Sequence, residues 1–329
     1  MKILVIGNED RYKKYLPDPE LVKRNRVIFC PCKASDEELV QAAQDADAII
    51  IDAIAKLPGN VIRQMPNLKI IQSEGVGYNG IDCQAAKEKG VYVCNCKGAN
   101  AGAVAEQAIL LMLALLRSTI TGDRLEREGR QIEMKERLMV EGITELGDCK
   151  IGFIGFGDIA KATAKRLIPF GCKLYYYDKY KASQEQETEY HVSFMELNEL
   201  ICICDIVSLH CPATPETAGM VNAEFLAKMK PTAYLINTAR GDIVDNQALY
   251  DAIVMGGIRG AGLDTVYPEP TTKDNILLNL PDEFQEHIVF SPHIGGITTS
   301  FFRRAHLFNW GNIEAVLKGE RPKNIVNGL

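Results

Sequence analysis

The chain has 329 residues, which is long enough for two domains of ordinary size. Its hydrophobic fraction of 47% and its charged fraction of 24% are typical of a soluble globular protein. A formal net charge of −6 argues against nucleic acid as a main partner, because binding phosphates requires a basic surface.

Two apolar runs are candidates for a signal peptide or a membrane-spanning helix. Lys2–Gly7 is cut off by the polar residues Asn-Glu-Asp, so we interpret it as a buried strand and not as a signal peptide. Ala108–Leu116 is far too short to cross a bilayer. We therefore expect a cytoplasmic protein without a membrane partner.

The first third of the chain alternates strand-like apolar runs with helix-like periodic segments, which indicates an α/β architecture with parallel sheets. The predicted strands are Lys2–Gly7, Val27–Pro31, Ala48–Asp52, Lys69–Ser73 and Tyr92–Asn95. The predicted helices are Asp36–Ala43, Val61–Met65 and a segment near Asp82–Lys89. Ser35 is the expected N-cap of the first of these helices.

Small residues in Lys97–Gly102 then interrupt the pattern, as a hinge would. A long apolar helix is predicted from Ala103 to about Arg117, followed by a more polar helical region at Asp123–Val140. A second α/β unit begins at Lys150.

The ten cysteines include three pairs with C-x-C spacing, at Cys30/Cys32, Cys94/Cys96 and Cys202/Cys204. Zinc motifs more often use C-x₂-C spacing with a matching second half. The pairs also lie in apolar, strand-like segments, where alternate side chains point to opposite faces. We expect free thiols that pack as small core residues, with no disulfide and no metal.

The segment Lys150–Ala160 has the layout of a dinucleotide-binding turn, G-x-G-x-x-A. Gly155 allows a tight turn from strand to helix, and Gly157 lets the backbone approach a pyrophosphate. Ala160 is small enough for close contact between helix and strand. The N-terminus of the following helix offers unpaired N–H groups to the phosphates.

The residues around this turn favour NAD as the cofactor. A helix at Ile159–Ile168 leads to a strand at Lys173–Tyr177, which ends on Asp178, 21 residues after Gly157. A carboxylate there can accept hydrogen bonds from both adenosine ribose hydroxyls and would repel the 2′-phosphate of NADP. The alternative is a glycine turn that binds no nucleotide and has an N-capping aspartate. Lys179, next to Asp178, weakens the discrimination against NADP.

Three downstream segments each place a charged or titratable side chain after an apolar strand. These side chains are Arg240, Glu269 and His293. We predict His293 as the acid/base, since histidine titrates near neutrality, and Glu269 as the partner that orients its ring. Arg240 would bind carboxylate and carbonyl oxygens through its planar guanidinium. Taken singly, each has an alternative as a turn, loop or helix-terminal residue.

Five blocks of sequence resemble the D-isomer-specific 2-hydroxyacid dehydrogenase family, over nearly the whole chain. The blocks are Gly152–Ala160, Val207–Gly219, Ile236–Gly241, Gly260–Pro270 and Ser291–Gly296. The resemblance implies a Rossmann-like NAD-binding domain (99–297) inserted into a smaller flavodoxin-like substrate domain (1–98 plus 298–329). It also implies hydride transfer between the nicotinamide and a small D-2-hydroxy acid or 2-keto acid.

The resemblance supports the roles of Arg240, Glu269 and His293 and adds further site residues. It implies cofactor contacts from Asp158, Ile159, His210, Cys211, Pro212, Thr217, Thr238, Ala239 and Asp264. It implies that the N–H groups of Val76 and Gly77 receive the substrate carboxylate and that Asn100 reaches the substrate, in a hinge-like segment that also contains Glu106.

Two departures from the family pattern narrow the range of expected substrates. Asn79 stands where an aspartate is common, and Gly98–Ala103 lacks the arginines that phosphoglycerate-type members would use for a phosphate. We therefore expect a non-phosphorylated substrate, such as glyoxylate, pyruvate or a hydroxypyruvate-like acid. The resemblance also implies a homodimer, with Ala103–Arg117 and the region after it forming a dimer arm or with that helix buried in one subunit.

Two other functions stay open at this stage. The first is an NAD(H)-sensing scaffold like the family's corepressors, which the absence of a low-complexity tail disfavours. The second is a phosphoglycerate-, formate- or phosphite-oxidising relative.

Overall fold

The computed structural model describes residues 1–329, apart from the side chain of residue 43. The chain divides into two compact units, one formed by Met1–Asn100 with Ile297–Leu329 and the other by Ala101–Gly296. The second unit is therefore inserted into the sequence of the first. Each unit contains one parallel sheet with helices, which confirms the predicted α/β class.

The first unit has a five-stranded sheet. Its strands are β1 (Lys2–Ile6), β2 (Arg26–Cys30), β3 (Ala48–Ile51), β4 (Ile70–Ser73) and β5 (Tyr92–Cys94). They are all parallel and lie in the order β2-β1-β3-β4-β5. The central strand β3 is buried along its whole length, as expected for a parallel strand covered on both faces.

Five helices connect or follow these strands before the second unit begins. They are α1 (Glu9–Tyr15), α2 (Glu20–Arg24), α3 (Asp36–Ala43), α4 (Gly59–Arg63) and α5 (Cys83–Glu88). Ser35 caps α3 as predicted, in a reciprocal capping box with Glu38. Helices α1 and α2 were not predicted; the signal for α1 is Asn8, whose side chain accepts a hydrogen bond from the backbone N–H of Arg11.

The second unit has a seven-stranded parallel sheet. Its strands are β6 (Lys150–Ile154), β7 (Lys173–Tyr177), β8 (Val192–Phe194), β9 (Ile206–Leu209), β10 (Tyr234–Asn237), β11 (Gly260–Leu263) and β12 (Ile288–Phe290). Their order is β12-β11-β10-β9-β6-β7-β8, so the direction of winding reverses between β6 and β9. Ligands of open α/β sheets bind at such a reversal, beyond the carboxyl ends of the strands.

Eight helices belong to this second unit. They are α6 (Ala101–Leu116), α7 (Thr119–Arg127), α8 (Gln131–Glu141), α9 (Asp158–Leu167), α10 (Gln184–Tyr190), α11 (Leu197–Ile203), α12 (Ala223–Leu226) and α13 (Asn246–Val254). The polar helical region predicted after α6 is two helices, because Gly129 adopts a left-handed conformation (φ +72°) that ends α7. Short 3₁₀ segments lie at Leu146–Asp148, Ile168–Phe170, Gly241–Ile243, Ile276–Asn279 and Asp282–His287.

The last helix, α14 (Thr299–Leu317), returns the chain to the first unit. The side chain of Thr298 caps it by accepting a hydrogen bond from the N–H of Phe301. Trp310 and Ile313 on α14 belong to the same buried cluster as Ile3 and Ile50 of the sheet. Helix α14 therefore covers one face of the first sheet.

The cysteines are free thiols in this structure. Cys202 and Cys204 lie within and just after α11, so their predicted strand-like setting is wrong: the segment has the apolar spacing of a short helix that packs on β6 and β7. Within the described residues, no group of three or more His, Cys, Asp or Glu side chains is arranged to hold a metal ion.

Among the described helices, none alone has the length and apolarity needed to cross a membrane. Helices α6 and α7 meet that test only as a pair, with a bend of 59° between them. Eleven of the sixteen residues of α6 are buried inside the protein.

Candidate active site

The predicted site residues of the second unit follow its parallel strands at one edge of the sheet. Gly155 follows β6, Asp178 follows β7 and His210 follows β9. Arg240, Asp264 and His293 lie beyond β10, β11 and β12 in the same way. Since all these strands are parallel, their carboxyl ends share one edge, and the structure brings these side chains to that edge.

The glycine turn after β6 has two positions with different steric surroundings. Gly155 has a φ of +89°, and a Cβ there would lie 2.7 Å from the backbone nitrogen of Cys211 and 2.8 Å from the carbonyl carbon of His210. Gly157 is the N-cap of α9, and none of the described atoms lies within 4 Å of its missing Cβ. Gly155 thus permits the close packing of two loops, while Gly157 leaves open space in front of a helix N-terminus.

Asp178 is held in place by two backbone donors. Its Oδ2 accepts a hydrogen bond of 2.7 Å from the N–H of Phe156, and its Oδ1 accepts one of 2.8 Å from the N–H of Tyr180. The carboxylate is therefore tied directly to the glycine turn. Each oxygen keeps acceptor capacity for a further donor, such as a ribose hydroxyl.

His293 and Glu269 form a direct pair, with 2.5 Å between Nδ1 and Oε1. The carboxylate accepts, so Nδ1 carries the proton and Nε2 is the ring nitrogen left for a substrate. The two side chains are 37% and 48% exposed, which leaves the pair accessible from solvent.

Arg240 lies in a turn that the strand β10 and its neighbours hold firmly. Asn237 accepts from the N–H of Ala239 (3.0 Å) and donates to the carbonyl of Arg240 (2.8 Å). A Cβ at Gly241 would clash with the backbone nitrogen of Tyr267, so this turn packs against the loop that carries Glu269. Within the described residues the guanidinium makes no ion pair and bonds only the carbonyl of Ala239, at 2.7 Å.

Asp264 organises the backbone around His293. Its carboxylate accepts hydrogen bonds from the hydroxyl of Ser291 (2.5 Å) and from the N–H groups of Ile294 (3.0 Å) and Gly295 (2.9 Å). His293 itself has a left-handed backbone with φ +54°, which is uncommon for a residue with a side chain. The buried carboxylate thereby holds the turn that presents the histidine ring.

Three buried polar atoms near this edge lack a partner within the described residues. They are Nδ1 of His210, Oγ1 of Thr238 and Oγ1 of Thr265. The other ring nitrogen of His210 bonds the hydroxyl of Ser208 at 2.9 Å, and burial lowers the pKa of His210 to about 3, so the ring is neutral at physiological pH. Unpaired buried polar atoms, the open space at Gly157 and the anchored Asp178 fit a dinucleotide lying along the edge of the sheet.

The other residues predicted near the cofactor differ in exposure and in their bonding partners. Thr217 closes its own loop, since its hydroxyl donates to the carbonyl of Pro212 at 2.7 Å and accepts from the N–H of Thr214 at 2.8 Å. Asp158 is exposed at the first position of α9, and Ile159 beside it is partly buried. Glu106 pairs with Arg166 on α9 at 3.4 Å.

The predicted substrate-binding residues Val76, Gly77 and Asn100 lie in the first unit. The carbonyl of Gly75 accepts from the N–H of Cys96 at 2.9 Å, and the carbonyl of Val76 accepts from the amide of Asn95 at 2.8 Å. In a planar trans peptide the N–H points opposite to the C=O, so these bonds fix the directions of the N–H groups of Val76 and Gly77. Neither N–H has an acceptor within the described residues.

Several supporting residues escaped the sequence analysis. They are Asn95, Gln107, Ser208, Asn237 and Ser291. The sequence does offer a signal for Asn237 and Ser208, since each is a polar residue inside an otherwise apolar strand, and both are buried in the structure. Gln107 had none, because only the tertiary structure brings α6 to Ser291, where the two side chains bond at 2.9 Å.

Comparisons with known proteins show which family this chain resembles. Residues 109–295 match the NAD-binding domain of the D-isomer specific 2-hydroxyacid dehydrogenases. The chain is 38% identical to a glyoxylate reductase of Thermofilum pendens over 293 residues, covering 89% of this chain and 85% of the relative. It is also 38% identical to a hydroxypyruvate reductase of Thermotoga maritima over 303 residues, with coverages of 89% and 94%.

A similarity in three dimensions extends over nearly the whole chain. The apo structure of D-lactate dehydrogenase from Escherichia coli superposes with a TM-score of 0.82 at 26% identity. The match covers 98% of this chain and 99% of that structure.

Proposed function

The chain belongs to the D-isomer-specific 2-hydroxyacid dehydrogenase family, and on that premise we propose that Arg240, Glu269 and His293 carry out its reaction. This membership confirms the predicted NAD-dependent oxidoreductase that acts on a small 2-hydroxy acid or 2-keto acid. The observation that carries the residue assignment is the His293–Glu269 pair at the sheet edge that also bears the glycine turn.

The cofactor is NAD, and we propose Gly155, Gly157, Asp158, Ile159 and Asp178 as the residues around its pyrophosphate and adenosine ribose. The nicotinamide end would lie beyond β9, β10 and β11. The proposed contacts there are His210, Cys211, Pro212, Thr217, Thr238, Ala239 and Asp264. When bound, the nicotinamide supplies or accepts the hydride at C2 of the acid.

His293 would exchange the proton at the substrate's C2 oxygen. Because Nδ1 is held by Glu269, Nε2 takes the hydroxyl proton during oxidation and returns it to the carbonyl oxygen during reduction. Glu269 keeps the ring in this tautomer and stabilises the imidazolium. The guanidinium of Arg240, free of ion pairs in the described chain, binds carboxylate and carbonyl oxygens of the substrate.

We place the substrate domain at 1–98 plus 298–329 and the cofactor domain at 99–297. In the substrate domain, the N–H groups of Val76 and Gly77 would bind the substrate carboxylate. Asn100, at the start of the cofactor domain, would reach the substrate. The free and oriented N–H groups of Val76 and Gly77 support this assignment.

The substrate class is a non-phosphorylated acid such as glyoxylate or a hydroxypyruvate-like acid. Two relatives carry the names glyoxylate reductase and hydroxypyruvate reductase, and Gly98–Ala103 contains no arginine for a phosphate. A panel of 2-keto acids with NADH and NADPH tests this assignment. Turnover with none of them would contradict it.

The variant His293→Ala tests the catalytic assignment. We expect kcat to fall by about 10²- to 10⁴-fold, since the proton transfer loses its acid/base. The Kd for NADH, measured by fluorescence titration, should change far less. Equal losses in turnover and in NADH affinity would assign His293 to cofactor binding and not to catalysis.

We further propose a cytoplasmic homodimer that uses α7 and α8. Ile120 on α7 is 61% exposed in the single chain, and Ile132, Met139 and Val140 on α8 are 60%, 75% and 89% exposed. A group of apolar side chains that is exposed in the single chain is typical of a surface that a partner subunit buries. Light scattering after size exclusion gives the molar mass, and Val140→Glu should shift a dimer toward the monomer.

A further inference from the structure

A buried acid lies at the root of the loop that carries Val76 and Gly77. Glu74 follows β4, and its side chain is only 4% exposed. One of its oxygens pairs with the guanidinium of Arg11, whose other nitrogen binds Asp52 at 2.6 Å. The second oxygen, Oε1, has no partner within the described residues. The guanidinium of Arg11 is therefore shared by the carboxylates of Asp52 and Glu74, at the edge of the first sheet where its strands end.

The other titratable groups near Glu74 are neutral at physiological pH. Tyr12 on α1, Cys32 after β2 and Cys96 after β5 all have raised pKa values, mainly because of burial. Burial also lowers the pKa of His306 on α14 to about 4. Arg11 and Asp52 are thus the charged groups that face Glu74.

The ionised and neutral forms of the Glu74 carboxyl group are close in free energy near neutral pH. Burial and, to a smaller degree, Asp52 oppose its ionisation, whereas Arg11 favours it, and the pKa of Glu74 is raised to about 7. An ionised carboxylate with one buried, unpartnered oxygen is costly, while the neutral acid avoids most of that cost. Small changes in the local field can therefore add or remove its proton.

The loop directly after Glu74 is rigid and offers two N–H groups to an anion. A Cβ at Gly75 would lie 2.7 Å from the Cβ of Ala53, so the loop is pressed against the segment after β3. The hydroxyl of Ser73 also binds the carbonyl of Gly77 at 2.6 Å. With the backbone fixed in this way, a charge on Glu74 acts on a bound anion at an almost constant distance.

We propose that Glu74 couples the binding of the substrate's carboxylate to the uptake of a fraction of a proton from solvent. The inference rests on the proposed use of Val76 and Gly77 as the carboxylate site. Neutral Glu74 leaves the anion bound, whereas ionised Glu74 repels it across the intervening protein and solvent. A unit charge about 8–10 Å away weakens binding about fivefold at an effective dielectric constant of about 40. Glu74 acts on the bound anion through its charge, and Arg11 is the positioning residue that holds it.

The test compares wild type with Glu74→Gln in the reduction of a 2-keto acid between pH 5.5 and 9. Any other pH-dependent step of the reaction affects both proteins, so it cancels in the ratio of their kcat/KM values. We expect this ratio, variant over wild type, to rise about fivefold between pH 6 and pH 8.5. The rise should come from KM for the keto acid and not from kcat.

Asp52→Asn provides a second variant. Removing Asp52 leaves Arg11 to Glu74 alone, so Glu74 ionises at lower pH and the loss of kcat/KM should begin at lower pH than in wild type. Calorimetry with oxamate in buffers of different ionisation enthalpy counts protons directly. Wild type should take up more protons per bound oxamate than Glu74→Gln at pH 7.5.

The two kinds of failure are distinguishable. Turnover with a pH-independent ratio, or equal proton uptake in both proteins, would overturn the role of Glu74 and leave the proposed function standing. Binding of NADH without oxamate binding or turnover would overturn the proposed function, and this inference with it.

Discussion

The two glycines of the β6–α9 turn should respond differently to the same added methyl group. In Gly155→Ala the new side chain requires an L residue at φ +89° and brings Cβ within 2.7 Å of the backbone of Cys211. The left-handed backbone costs roughly 1–2 kcal/mol, and displacing a packed neighbour costs roughly 1–3 kcal/mol more. We therefore expect the free energy of unfolding to fall by about 2–5 kcal/mol.

Gly157→Ala is the matched control for this loss. Its φ of −83° suits any residue, and its Cβ would enter open space. The stability of the cofactor-free protein should therefore change by less than about 1 kcal/mol. That open space lies before the N-terminus of α9, where the pyrophosphate would approach, so NADH affinity should fall at least about tenfold.

Thermal unfolding without cofactor and fluorescence titration with NADH separate the two effects. Gly155→Ala should lower the Tm by about 4–20 °C, given about 2–4 °C per kcal/mol for a unit of this size. Gly157→Ala should keep the wild-type Tm and lose affinity. The reasoning fails if Gly155→Ala melts like wild type, or if Gly157→Ala loses stability but binds NADH normally.

Three further predictions concern single side chains. In Asp264→Asn the amide cannot accept all three donors of the His293 turn, so kcat for keto-acid reduction should fall about 10- to 100-fold in steady-state assays. The pKa of Glu74 rises from 4.5 to about 7 on folding, so the folded protein holds a proton that the unfolded chain releases between these pH values. Stability therefore falls as pH rises through this window, and denaturant titrations at pH 5 and pH 8 should show a loss of about 2–3 kcal/mol that Glu74→Gln lacks. Arg137 binds Glu286 through two bonds of 2.9 and 2.8 Å, and Arg137→Ala should cost about 1 kcal/mol in the same titrations.

Much of the sheet architecture could be predicted from local patterns. The strand Lys173–Tyr177 and the helix Asp36–Ala43 were predicted with the observed bounds, because an apolar run ends at a charge in one and a capping box begins the other. Helices α1 and α2 were missed, since they are short, largely polar and stabilised mainly by packing.

The residues expected to act in chemistry were also recognisable, because a charged group that follows an apolar strand lies at the edge where open α/β sheets bind ligands. The sequence shows Glu269 and His293 as separate features, 24 positions apart. Their approach to 2.5 Å depends on the pairing of β11 with β12, which places their loops side by side. Long-range pairing of this kind has no local signature.

Composition, periodicity and the glycine turn thus indicated the α/β class and the cofactor, because those features depend on contacts between near neighbours in the chain. The reaction was inferred from the resemblance of five sequence blocks to a known family. The tertiary structure decided which groups support the site: Asp264 beneath the His293 turn, Gln107 behind Ser291, and Arg11 shared by Asp52 and Glu74. Each of these contacts joins distant segments. In the sequence, a buried, half-paired acid such as Glu74 looks like any loop carboxylate, because burial is a property of the folded chain alone.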